Sequence, residues 1–169
     1  MHLYIVRHAD ALAVGEQGVA TDEDRPLSER GQQQARLLAQ TLKRLGVAVD
    51  QVLTSPLRRS VQTAEELART LQASRLGLVT CDELAPGYSP KKLAKALLKV
   101  DGENILLVGH EPGLSHFTAW LIGAKDARLE FSKGGAAFVL CDVQPQKGAG
   151  TLEWLVTSKW LKALSSPLE

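Results

Sequence analysis

Hydrophobic positions along the chain switch between two periods, and the switches mark the elements. His2-Leu3-Tyr4-Ile5-Val6-Arg7 is an apolar, β-branched run that predicts a first strand. A polar loop follows, through Asp22-Glu23-Asp24-Arg25-Pro26. Ser28 then predicts a helix N-cap, with Gln34, Leu38 and Leu42 at helical spacing and an end near Gly46. Gln51-Val52-Leu53-Thr54 predicts a second strand. Ser55-Pro56 has the form of a helix start, Ser at N-cap and Pro at N1, before an apolar stripe of Leu57, Val61, Ala64, Leu67, Ala68 and Leu71. Leu76 to Cys81 predicts a weaker third strand, and Pro90 to Val100 a short lysine-bearing helix. Asn104 to Val108 has the short, fully apolar character of a parallel strand buried on both faces. Pro112 to Ile122 predicts another helix, and Ala136 to Asp142 with Thr151 to Thr157 a closing strand pair that includes an antiparallel edge.

Strands alternating with helices predict a three-layer α/β/α sandwich with a mostly parallel central sheet. The 169 residues fit one domain, 1–169, with neither internal repeat nor low-complexity linker. With 44% hydrophobic and 23% charged residues the composition is that of an ordinary globular chain. The formal charge of +1 provides no basic field for nucleic acid, so anion specificity has to come from a local cluster. Arg7-His8 interrupts the N-terminal apolar run too early for a secretory signal, and no apolar run is long enough to cross a bilayer. Cys81 and Cys141 are too few for a disulfide framework and read as buried thiols of a reducing, cytoplasmic compartment. No coiled-coil segment stands out, so a monomer or weak oligomer is expected.

The chemistry sits at strand ends. Ligands of open α/β sheets bind beyond the carboxyl ends of the strands. Arg7-His8, Thr54 to Arg59 and Gly109-His110-Glu111 all fall at such predicted ends. A phosphoryl-transfer site needs a nucleophile and fixed positive charge around three phosphoryl oxygens. Arginine binds phosphate through a planar fork that keeps its charge. A neutral imidazole is a competent nucleophile, and flanking arginines help to keep it neutral. Other phosphatase chemistries lack their motifs. Neither cysteine is followed by the Arg of a cysteine-phosphatase loop, no apolar strand precedes Asp22-Glu23-Asp24, and no Gly-x-x-x-x-Gly-Lys loop exists. His110, Glu111 and His116 match no His-Glu-x-x-His spacing, so neither metal nor cofactor is expected. His2 and His116 read as structural or surface residues. Trp120, Trp154 and Trp160 read as core or surface anchors, and Lys91, Lys92, Lys95 and Lys99 as a solvated helix face that could also meet an acidic partner.

These segments resemble the histidine phosphatase (phosphoglycerate mutase-like) superfamily. Arg7-His8-Ala9 is similar to its Arg-His-Gly signature, and Leu27-Ser28-Glu29-Arg30-Gly31 to its Leu-Ser/Thr-x-x-Gly helix start. Ser55 to Ala64, SPLRRSVQTA, is similar to Ser-Pro-x-x-Arg-Ala-x-Gln-Thr-Ala, and Val108 to Gly113 to the loop of the second histidine. The short chain and Glu83-Leu84-Ala85-Pro86 look most like the SixA-type phosphohistidine phosphatases. The resemblance implies that His8 is phosphorylated while Arg7, Arg59 and His110 hold the phosphoryl group. Arg59 is selected over Arg58 because it stands four places after Ser55. Adjacent helical residues point about 100° apart, so the two cannot share one phosphate. Glu83, with Asp82 beside it, matches the carboxylic acid that protonates a leaving group. Ala9 replaces the signature Gly and requires a negative φ there. The expected activity is removal of phosphate from phosphohistidine on a protein, such as a histidine-containing phosphotransfer domain. The alternatives are a small-molecule phosphomonoesterase or mutase, and a non-catalytic phosphate-binding module.

Overall fold

The computed structural model describes residues 1–73 and 77–165. Six strands form one sheet: β1 (His2–Arg7), β2 (Gln51–Thr54), β3 (Leu78–Thr80), β4 (Asn104–Gly109), β5 (Ala136–Cys141) and β6 (Gly150–Val156). Their order is β3-β2-β4-β1-β5-β6. The first four are parallel, with Val6 beside Val108 and Thr54 also beside Val108. β5 runs antiparallel to β1, and β6 antiparallel to β5. The helices are α1 (Glu29–Arg44), α2 (Arg58–Leu71), α3 (Pro90–Leu97), α4 (Gly113–Leu121) and α5 (Ser158–Ser165). This is the phosphoglycerate mutase-like α/β/α arrangement.

Strand alternation sends neighbouring residues of β1 and β4 to opposite faces, and both faces are apolar. Leu3, Ile5, Ile105 and Leu107 meet Leu93 and Leu97 of α3 and Leu114, Phe117 and Leu121 of α4. Tyr4, Val6, Leu106 and Val108 meet Leu38 and Leu42 of α1, Ala64 and Leu67 of α2, and Leu161 of α5. Burial of β1 and β4 between two helical layers fixes their ends rigidly, and the candidate site uses those ends.

Two sequence expectations are corrected. The third strand is shorter than Leu76 to Cys81. Leu76 lies outside the described residues, and at Cys81, whose N–H still donates to Thr54 O at 2.8 Å, the chain turns into a 3-10 segment at Asp82–Leu84. The second helix does not begin at Ser55-Pro56. Its N-cap is Leu57, because the Arg58 N–H is spent on Glu23 O at 3.0 Å and the Ser55 side chain is turned into the site. The sequence reading also missed α5, which buries only Leu161 yet anchors the loop before β5: Ser158 N donates to Ser132 Oγ at 2.8 Å.

Candidate active site

The ends of β1, β2 and β4 bring Arg7-His8, Thr54-Ser55 and Gly109-His110 side by side. The backbone holds them together, with His8 N donating to Gly109 O at 3.1 Å and Ser55 N donating to Val108 O at 2.9 Å. His8, Arg59 and His110 are all buried, at 7%, 4% and 5% exposure. The rings of His8 and His110 lie with centroids 4.8 Å apart.

The proton position on His8 follows from its partners. Nδ1 is 2.7 Å from Ala9 O, a group that can only accept, so Nδ1 carries the hydrogen. Nε2 therefore holds a lone pair, and it accepts from Arg59 Nε at 3.3 Å. Burial lowers the His8 pKa to about 4, with Arg59, Arg7 and Lys133 adding to the shift. Burial likewise lowers His110 to about 3, helped by His8 and Arg59. Both rings are neutral at pH 7.

Each cation has a distinct setting. Arg7 Nη1 donates to Phe131 O at 2.7 Å. Its Nε is buried and has no acceptor among the described residues. An orphan of this kind costs about 1–3 kcal/mol, a cost that an anion in the site would relieve. Arg59 uses each of its three nitrogens once: besides His8, Nη1 donates to Asp22 O at 2.6 Å and Nη2 to Asp22 Oδ2 at 3.0 Å. Arg58, one residue earlier, is exposed, and its side chain reaches Asp24 O at 3.4 Å. Lys133, from the loop before β5, pairs with Asp10 Oδ1 at 2.7 Å, close enough for its charge to act on His8.

Motif residues without side-chain chemistry of their own brace this cluster. Thr63 Oγ1 accepts from Ala9 N at 3.1 Å and donates to Arg59 O at 2.7 Å, tying the loop after β1 to the arginine helix. Ser28 caps α1 by accepting from Gly31 N at 3.0 Å and donates to Asp10 Oδ2 at 2.8 Å. Gly31 is needed because a Cβ there would run into the Asp10 carbonyl. Ala9 is fully buried with a φ outside the left-handed region, so it fills the signature Gly position without strain.

Glu83 stands on the 3-10 turn and lines a narrow cleft with His110, Tyr88 and Leu93. Its Oε2 accepts from the Cys81 thiol at 3.4 Å, and burial, with Glu83 beside it, raises the Cys81 pKa to about 11. The structure thus gathers Arg7, His8, Arg59 and His110 in one cluster and sets Glu83 at its margin. His2, on the opposite edge of β1, bonds Asn104 Oδ1 through Nδ1 at 2.8 Å, and His116 is exposed on α4. Among the described residues no three His, Cys, Asp or Glu side chains assemble as a metal-ligand set. Sequence reasoning missed Asp22, Ser60 and Lys133. Asp22 carried a signal in an acidic run immediately before Arg25-Pro26, and Ser60 in standing where the resembling pattern has Ala; Lys133 carried none.

Known proteins resemble the chain in sequence and in fold. The family model of the histidine phosphatase superfamily (branch 1) matches residues 3–85. An uncharacterized protein of Picosynechococcus sp. is 34% identical over 143 residues, covering 80% of this chain and 82% of that one. Phosphohistidine phosphatase SixA of Escherichia coli is 29% identical over 169 residues, covering 96% of this chain and 97% of its own length. The solved structure of the protein histidine phosphatase SixA complexed with tungstate superposes with a TM-score of 0.83 at 28% identity, covering 95% of this chain and 99% of that one.

Proposed function

The chain belongs to the histidine phosphatase superfamily, and on that premise we propose that it hydrolyses phosphohistidine on a protein through a phosphoryl intermediate on His8. The observation that carries the reading is the state of His8. Its Nδ1–H is bound to Ala9 O, which leaves the Nε2 lone pair facing Arg59 beside a second buried histidine. In the first step Nε2 attacks phosphorus, the P–N bond of the substrate breaks, and the departing imidazole takes up a proton from solvent. In the second, water attacks the phosphorus on His8, gives its proton to solvent, and returns Nε2 with release of inorganic phosphate. Arg7, Arg59 and His110 hold the phosphoryl oxygens throughout. A phosphoramidate imidazole leaves more readily than an alkoxide. The marginal placement of Glu83 therefore suits this substrate better than an alkyl phosphate.

A protein substrate is supported by the short connection from β3 to β4. Residues 81–103 hold only a 3-10 turn and α3, with no inserted lid to enclose a metabolite. Helix α3 begins at the cleft shared by Glu83 and His110 and exposes Lys91, Lys92 and Lys95. SixA, the relative above, is named a phosphohistidine phosphatase. The partner expected on this reading is a histidine-containing phosphotransfer domain, met in the cytoplasm. The test is twofold, in excess EDTA. Quenched turnover should trap acid-labile, base-stable phosphate on His8, and His8→Ala should lose about three orders of magnitude or more in kcat while staying folded. The phosphorylated domain should then exceed sugar phosphates, phosphoglycerates and nucleoside monophosphates in kcat/KM. A metabolite turned over more efficiently would remove the protein substrate and leave only the chemistry.

A further inference from the structure

The superfamily pattern around the second arginine carries Ala immediately after it, whereas this chain has Ser60. Ser60 is fully buried on the first turn of α2, and its Oγ lies 3.1 Å from His110 Nε2. Ser55 Oγ lies 2.9 Å from the same nitrogen. Two buried hydroxyls thus converge on one imidazole nitrogen, and the ring's proton has to be placed consistently with both.

The hydrogen bonds around these atoms decide between the two neutral tautomers. Ser55 Oγ already accepts from Leu57 N at 3.3 Å, so its own hydrogen remains to be donated. Among the described residues neither Ser55 Oγ nor Ser60 Oγ has an acceptor other than His110 Nε2. A proton on Nε2 would leave both hydroxyl hydrogens buried without an acceptor. A lone pair on Nε2 serves both, shared between them. The second arrangement satisfies more buried donors.

We infer that Ser60 is a positioning residue for His110: with Ser55 it donates to Nε2 and holds the neutral ring as the Nδ1–H tautomer. The two histidines of the site are then set to complementary roles by opposite devices. An acceptor on Nδ1, the Ala9 carbonyl, leaves His8 with a bare lone pair at Nε2. Two donors on Nε2 leave His110 with an N–H at Nδ1, where it can donate to a phosphoryl oxygen. A lone pair in that place would repel the oxygen. The catalytic consequence rests on the functional reading above; the tautomer does not.

The test is long-range 1H–15N NMR of the histidine-labelled full chain, with the His110 ring assigned by its absence in His110→Gln. The wild type should show His110 with protonated Nδ1 and a hydrogen-bonded, unprotonated Nε2. Ser60→Ala, which restores the family's residue in a helical position, should admit the Nε2–H tautomer. It should lower kcat by about fivefold with KM nearly unchanged, since a donor is lost only in the misprotonated fraction. Ser55→Ala combined with Ser60→Ala should turn the ring mostly to Nε2–H and lower kcat by about 100-fold, the usual loss for one transition-state donor. The His110 pKa should rise in both variants, because hydroxyl donors favour the neutral ring. An Nε2–H wild-type ring, or a Ser60→Ala protein with unchanged ring signals and kcat, would overturn the assignment. A wild type inactive on every phosphorylated substrate but holding Nδ1–H would remove the functional reading and uphold Ser60.

Discussion

Replacing Asp22 by Asn should tighten the binding of phosphate and its mimics. Asp22 occupies two nitrogens of the Arg59 fork, through both its carbonyl and its carboxylate, and on the proposed reading a phosphoryl group needs them. The carboxylate is ionised at pH 7, because hydrogen bonds from Arg25 and then Arg59 hold its pKa below the usual range. Phosphate therefore competes with a resident anion and also feels its repulsion. Asn keeps one oxygen for Arg25, in the place of Oδ1, and sets its amide NH2 in the place of the Oδ2 that accepts from Arg59, so the Arg25 contact of the turn survives while the charge and the Arg59 side-chain bond go. The magnitude follows from exposure: the Arg59 side chain is 5% exposed but that of Asp22 is 52%. A half-solvated pair is worth about 1 kcal/mol, well below a buried one. That converts to about fivefold tighter binding of inorganic phosphate or vanadate. The assay is competitive inhibition by each anion, repeated at low and high salt, where the gain should shrink as screening rises. Weaker anion binding by Asp22→Asn would refute the reasoning and make Asp22 a brace that Arg59 cannot do without.

Arg59→Ala should cost about 2–4 kcal/mol in kcat/KM, whereas the exposed Arg58→Ala should cost under about 1 kcal/mol. A larger loss at Arg58 would show that the wrong face of α2 has been assigned. The acid limb of kcat/KM should fall near pH 4, not near 6.5, because buried His8 stays neutral down to its lowered pKa. The same shift has a stability sign: below pH 6.5 the unfolded imidazole binds a proton that the folded one refuses. Unfolding free energy should therefore drop as pH falls from about 6.5 through about 4, with a shallower slope in His8→Ala denaturation curves. Glu83→Gln should slow hydrolysis of an alkyl phosphate much more than that of phosphohistidine, and equal losses would give Glu83 a different role.

The parallel strands were legible because both faces of β1 and β4 are apolar, and runs such as Ile105-Leu106-Leu107-Val108 leave no solvent face to read otherwise. The candidate site was legible because its residues follow those strands directly. Helix α5 was not, because it buries one residue, Leu161, and leaves Trp160 and Leu164 exposed. Trp160, Leu161 and Leu164 do lie on one side of the helix, but eight residues are too short a run for that spacing to be told from a loop. The Ser55-Pro56 start misled for a different reason. The same residue type that caps helices also donates to imidazole, and the tertiary partner, His110, is 55 positions away. Asp22, Ser60 and Lys133 share this difficulty. Each acts on a group from another element, at a distance set by the fold and absent from local pattern.

On the proposed reading, the placement of charge lets one site both bind a phosphoryl group and keep its nucleophile bare. Arg7, Arg59 and Lys133 crowd the end of β1 with positive charge, which alone would leave a buried site badly unbalanced. Protonating His8 or His110 would worsen that imbalance, so burial first, and the neighbouring cations after it, keep both rings neutral. The resting balance comes from groups that can yield: Asp22 on a half-exposed turn against Arg59, and Asp10 against Lys133. Arg59 Nε rests on the His8 lone pair at 3.3 Å. Once that pair bonds phosphorus, the N–H has lost its acceptor, and a phosphoryl oxygen is the one that arrives with the new bond. On the proposed reading the same hydrogen therefore guards the nucleophile before attack and stabilises the phosphoryl group after it.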